Sequence, residues 1–274
     1  MKRSSVLLAS LGVIVATSIV VAQAPPAQQP PAQTTSPPSS TREMPERDPA
    51  AIKALEQMGA FLRKQQAFSV HAKAETEMLL DSGQKVQFAG TGSLTARRPD
   101  RLHVRITSDR KDREFFFDGK KFTLASPRTG YYATVAAPKT ILEVSDLLKN
   151  RYALELPLVD LFLWGTNRMP TDRITSAIDI GPSTIGGVET EQYAFREPNL
   201  DWQIWIEKGP RPLPRKLVLT STDEASQPQH QLELSWNLAP KVTEKTFTYT
   251  PPKNAHRIAL SERSTEQAPP PPRS

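Results

Sequence analysis

The chain has 274 residues, 35 lysines and arginines against 29 acidic residues, 26 prolines, no cysteine and only 38% apolar residues. The missing cysteine excludes disulfides, thiolate metal sites, thiol nucleophiles and a lipidated N-terminal cysteine. The net charge is a modest +6 and no basic run exceeds two residues, so nucleic-acid binding has no support.

In chain order, Lys2 and Arg3 precede an uncharged, largely apolar run over 6–21, followed by Ala22 and Ala24 around Gln23. This pattern predicts a secretory signal over 1–24, cleaved before Pro25. The run is short for a membrane span of about twenty residues, so the mature chain is expected to have no transmembrane segment and to be periplasmic. Eight prolines then fall between positions 25 and 49, with Gln, Thr and Ser between them, and predict an extended linker over 25–47. The four prolines at 269–272 mark a similar tail over 262–274. The folded domain is therefore expected over 48–261, long enough to bury about 70% of its unfolded surface without a staple.

That domain opens with a helix: Asp48 is an N-cap, Pro49 stands at the first helical position, and Ala51, Leu55, Met58 and Leu62 form one apolar stripe. Period-two alternation follows. Over 68–80, Phe68, Val70, Ala72, Ala74, Thr76, Met78 and Leu80 share a face opposite Ser69, His71, Lys73, Glu75 and Glu77. Similar strands are predicted over 86–96, 102–106, 113–117, 121–125 and 131–135. After Pro138 the spacing of Ile141, Val144, Leu148 and Tyr152 predicts a second helix, widened by Leu142 and Leu147, and a short third helix is predicted over 158–164. Strands return over 175–180, 189–196, 200–207, 215–222 and 231–238, and Phe247 and Tyr249 between threonines extend the same alternation. Short turns such as Asp81-Ser82-Gly83 and Asp118-Gly119 make sequential strands antiparallel neighbours.

About eleven one-faced strands outnumber some forty helical residues, and a sheet that wide must curl, split or close. The predicted class is α+β, mostly antiparallel β: an open curved half-barrel with two or three helices on its concave face. A closed barrel or sandwich is the alternative, but neither needs the apolar helix near 141–152. Gly90 and Gly92, in the apolar register of their strand, signal a bend, a close approach or a bulge.

The blocks Arg97-Arg98-Pro99-Asp100-Arg101, Phe115-Phe116-Phe117-Asp118-Gly119-Lys120, Glu155-Leu156-Pro157-Leu158, Asp201-Trp202-Gln203-Ile204-Trp205-Ile206-Glu207 and Leu213-Pro214-Arg215-Lys216 resemble the predicted periplasmic family called domain of unknown function 2092. The resemblance spans about 48–260. It implies the lipoprotein-carrier superfold, whose better-known members shield acyl chains in transit or sense envelope stress. It carries over no functional residues, and fold alone does not assign function.

A curved sheet rarely fits its helices completely, and the residual cleft is apolar. Phe115, Phe117, Leu147, Leu148, Trp202 and Ile204 are the candidate walls, each also readable as ordinary core. Trp205 stands alone as an aromatic on the polar register, and its readings are outer-surface cover, packing under a loop, or contact with a partner, in that order. His71, His103, His230 and His256 lack ligand spacing and read as solvated surface residues, so no metal is expected. No nucleophile elbow or phosphate-cradling loop is present, so neither a cofactor nor catalysis is expected. Three function classes follow: a monomeric carrier or binder of a lipid or lipoprotein acyl chain, an envelope protein-interaction or stress-sensing module, and a hydrolase without a known signature.

Overall fold

The computed structural model describes residues 47–262, so the predicted signal, all but the last residue of the linker, and all but the first residue of the tail lie outside the described residues. The elements are α1 (Pro49–Lys64), β1 (Ala67–Leu79), β2 (Lys85–Arg97), β3 (Arg101–Ser108), β4 (Asp112–Phe117), β5 (Lys121–Ser126), β6 (Tyr131–Ala136), α2 (Ile141–Tyr152), α3 (Asp160–Leu163), β7 (Ser176–Ile185), β8 (Val188–Glu197), β9 (Leu200–Glu207), β10 (Pro214–Ser221), β11 (Gln229–Asn237), α4 (Glu244–Phe247) and β12 (His256–Arg257).

All twelve strands form one open, curved sheet in the order β12-β6-β5-β4-β3-β2-β1-β11-β10-β9-β8-β7. Every pairing is antiparallel except the two-residue β12–β6 contact. The order follows from the turns, since each hairpin places its strands side by side. Of the two long connections, α2 and α3 between β6 and β7 carry the chain across the sheet, and the segment with α4 leads from β11 to β12 at the edge beside β6. β1 then closes the gap by pairing with β11 from Ser69↔Asn237 to Thr76↔His230.

Local chemistry accounts for the helices. The Asp48 carboxylate accepts the Ala50 N–H at 2.8 Å at the start of α1. Thr140 and Glu143 form a reciprocal capping box at the start of α2. The apolar stripes of α1, α2 and α3 pack on the inner face of the sheet, where Met58, Val144, Leu148 and Phe162 meet Phe68, Leu94, Phe117, Phe122 and Ile204 in one core.

Three expectations change. Phe247 and Tyr249 do not form a strand: Thr243 and Thr246 cap a single turn, α4, and close it before the alternation can pair. The segment around α4 instead crosses the outer face of the sheet, with the Tyr249 ring 5.3 Å from Phe116 and 5.2 Å from Tyr132. Gly90 and Gly92 mark no bulge, because β1 and β2 pair without a register shift from Ala67↔Arg97 to Leu79↔Lys85. The histidines divide: His71 and His256 are exposed, whereas His103 and His230 are half-buried.

Candidate functional site

The inner face has two halves. Towards one end of the strands, α1, α2 and α3 cover it. Phe68 and Phe162 meet there with ring centroids 5.6 Å apart, and Phe195 stacks on Trp202 at 4.3 Å. The close approach of α1 depends on Gly59, where a Cβ would lie 2.8 Å from Gly165 Cα. Arg63 of α1 donates to the Gly165 carbonyl, and the Arg98 guanidinium lies 4.8 Å over the Phe162 ring. Burial, with Arg63 nearby, pulls the Arg98 pKa below the usual guanidinium range.

Five of the six candidate residues are buried in the core. Phe117, Leu148 and Ile204 are fully buried, Phe115 and Trp202 nearly so, and all five belong to the one core. Leu147 stands apart, half-buried on α2. Any ligand held between helices and sheet must part these contacts.

Farther along β1 and β2, towards the hairpin that joins them, the inner face becomes half-exposed. Register places Ala72, Ala74 and Thr76 of β1 beside Gly92, Gly90 and Phe88 of β2, and Ile106 of β3 beside Gly92. On the other side of β1, Leu232 and His230 of β11 face Ala74 and Thr76, with Leu219 of β10 beyond them, and these rows end at the buried Leu217, Ile204 and Trp202. Ile106, Leu219 and Leu232 still touch the core, whereas Ala74, Val86 and Phe88 are half-exposed and lie outside it. The absent side chains at Gly90 and Gly92 lower the floor of this shelf: a Cβ at Gly92 would meet Ala72 Cβ at 3.7 Å and Ile106 Cδ1 at 3.9 Å. One polar pair sits on it, Thr76 Oγ1 and His230 Nδ1 at 2.7 Å, and burial lowers the His230 pKa.

The outer face is built differently. Phe116 lies under the C-terminal segment and stacks on His103 at 4.4 Å. Burial, followed by the neighbouring Arg105, lowers the His103 pKa. Trp205 is almost fully buried, its ring 5.1 Å from the Lys216 ammonium, so it serves as outer-surface cover. Glu207 is buried beside it and accepts from Arg215 and, at 3.3 Å, from Arg211. An open depression of 210 Å³ lies by Ser176, Ile178, Ala194 and Gln203, at the bidentate Arg196–Asp201 pair. Among the described residues, no group of three or more His, Cys, Asp or Glu could hold a metal ion, and no helix is long and apolar enough to cross a membrane.

The shelf went unassigned in the sequence, although small residues in an apolar register, Ala74, Gly90 and Gly92, were its signal.

An open antiparallel sheet curved over helices defines the class. Residues 51–261 match the family described as "Predicted periplasmic protein (DUF2092)", and the chain belongs to that family. No match is found among curated proteins. Among solved structures the chain is similar to LprF from Mycobacterium bovis, at 14% identity and TM-score 0.45, covering 77% of this chain and 100% of that one. It is also similar to the lipoprotein LppX from Mycobacterium tuberculosis, at 15% identity and TM-score 0.45, covering 72% and 100%. A LolA superfamily protein from Nitrosomonas europaea is similar at 13% identity and TM-score 0.30, covering 73% and 97%.

Proposed function

We propose that the protein is an exported, non-catalytic binder of an apolar ligand of the acyl-chain class, held on the half-exposed part of the inner face. It reaches the periplasm through a cleavable leader over 1–24, with 25–47 as a linker and 262–274 as a tail on either side of a single domain. The observation that carries the reading is the shelf itself. Ala74, Gly90 and Gly92 present a low apolar floor that opens to solvent at Phe88 and Val86 yet runs into the core at Ile106 and Leu232. The half-buried Leu147 and the buried Phe115, Phe117, Leu148, Trp202 and Ile204 are the residues against which a deeper ligand packs once α2 yields.

Magnitudes set the affinity. Full burial is worth about 0.8 kcal/mol per methylene, and an open shelf covers one side of a chain, so a chain of about sixteen carbons gains about 6 kcal/mol before association costs of at least about 4. Capture on the shelf alone is therefore very weak, with Kd of about 30 mM or above, and tightens as the ligand slides under α2.

Titration with a fluorescent long-chain fatty acid tests this. Ala74→Trp, which fills the shelf at a half-exposed position, is expected to abolish binding while leaving the melting temperature unchanged. A folded Ala74→Trp protein that binds like the parent overturns the site. Retention of an envelope protein without lipid favours the interaction reading, and turnover of an acyl ester favours a hydrolase.

A further inference from the structure

We propose that the tip of the β1–β2 hairpin docks on an anionic lipid bilayer, with Met78, Leu79 and Leu80 entering the interfacial layer. This goes beyond ligand binding and stands on separate observations. The three residues are consecutive, large and apolar, and they are 49%, 50% and 39% exposed. Alternation breaks there, since a strand needs only one of two neighbours apolar, and Leu79 occupies a register in which Lys73 and Glu75 face water.

The hairpin also stands clear of the sheet. β1 pairs β2 out to Leu79↔Lys85, but its pairing with β11 ends at Thr76, and the pairing of β2 with β3 ends at Gly90. The unpaired overhang is three residues on one side and five on the other, about 10 and 17 Å at the usual rise. An apolar hairpin left in water with two free edges is a liability unless something covers it.

Charge selects what covers it. The β3–β4 turn at the same end exposes Arg110 and Lys111, with Arg113 exposed at the start of β4, and the Arg110 guanidinium lies 4.2 Å over the Phe88 ring of the hairpin. Arg128, from the β5–β6 turn, donates to the Ser108 carbonyl at 2.8 Å and joins the same cluster. Asp112, at the start of β4, is already paired with Arg105 at 3.2 Å. Asp81 at the tip and Asp109 in the β3–β4 turn offset part of this charge, four basic side chains against two acidic ones, while Asp223 and Glu224 of the β10–β11 turn lie on the opposite flank. The asymmetry tilts the β3–β6 side towards an anionic surface and sets two copies of the cluster against each other. The tip is also far smaller than a stable protein dimer interface of at least about 1,200 Å².

The absence of cysteine makes the test local. Leu79→Cys carrying an environment-sensitive fluorophore reports the tip, and Lys120→Cys with the same label reports the far end, in the β4–β5 turn. A local readout is needed because the run over 6–21 is itself apolar. With vesicles of 30% phosphatidylglycerol in phosphatidylcholine, the position-79 label is expected to brighten and shift to the blue, and the position-120 label to stay unchanged. Met78→Ser with Leu80→Ser is expected to weaken the response at least tenfold, and Arg110→Glu with Lys111→Glu at least threefold. Pure phosphatidylcholine is expected to give less, as is high salt. These residues are exposed, so the variants fold as the parent does. No response at position 79, an equal response at both positions, or a change that follows protein concentration without vesicles overturns the proposal. No fatty acid is added, so loss of shelf binding leaves the result standing.

Discussion

The two halves of the inner face share one sheet, one register and one apolar preference, yet only one half is a core. Phe68, Leu94 and Phe117 are buried because α1, α2 and α3 lie over them. A few residues along the same strands, Ala74, Gly90 and Met78 occupy the same face and remain partly or largely open. Strand alternation alone therefore does not distinguish stability from function. The covered half should answer substitution with unfolding, and the open half with loss of binding.

The largest effect is expected for Phe117→Ala. The ring is fully buried, and its loss should cost about 3–5 kcal/mol, with Leu148→Ala at about 2–5. Urea unfolding measures both. A cost below about 1 kcal/mol would mean that the helices are not seated on the sheet, which erases the distinction between the halves. Gly59→Ala comes next: its Cβ meets Gly165 backbone at 2.8 Å, and overpacking costs about 1–3 kcal/mol. An unchanged midpoint for that variant would show that α1 and the loop after α3 are not held in close contact.

The elements were legible in the sequence, but this division was not. The one-faced strands, the Asp48–Pro49 start of α1 and the apolar stripe of α2 follow from spacing and cap chemistry, because those rules act within a few residues. What lies over a strand face is a tertiary fact. Ala74 and Val70 read alike in the alternation, and only the placement of the helices separates them. The outer face makes the same point. Phe116 and Trp205 break the polar register, and their cover comes from the C-terminal segment in one case and the Lys216 side chain in the other. At Phe247 the threonine alternation mimicked a strand because β-branched residues suit both strands and caps.

On the open half, Ala74→Trp should change stability by less than about 0.5 kcal/mol, as for an ordinary surface substitution, while removing ligand binding. A large loss of stability would instead place Ala74 in the core and move the boundary between the halves.

The smallest effect is a pH dependence at His230, the one titratable group placed in register on the shelf. Its neighbours in register, Thr76 on β1 and Leu219 on β10, are uncharged, and burial lowers its pKa. The protonated form is thus disfavoured in the folded protein. Its contribution to stability is intact above the unfolded value of about 6.5 and is lost as pH falls through that value towards the lower folded one. An apolar ligand laid over the shelf removes more water from the imidazole and depresses its pKa further. Binding then expels a proton, and affinity for an uncharged long-chain alcohol should fall as pH drops from about 7.5 to about 5.5. His230→Gln retains a hydrogen-bonding group for Thr76 but cannot titrate, so its affinity should be flat across this window. A slope that persists in the variant would assign the proton to another group and place the ligand away from His230. A flat profile in the parent would mean that bound ligand leaves the imidazole as wet as before, confining it to the helix-covered side.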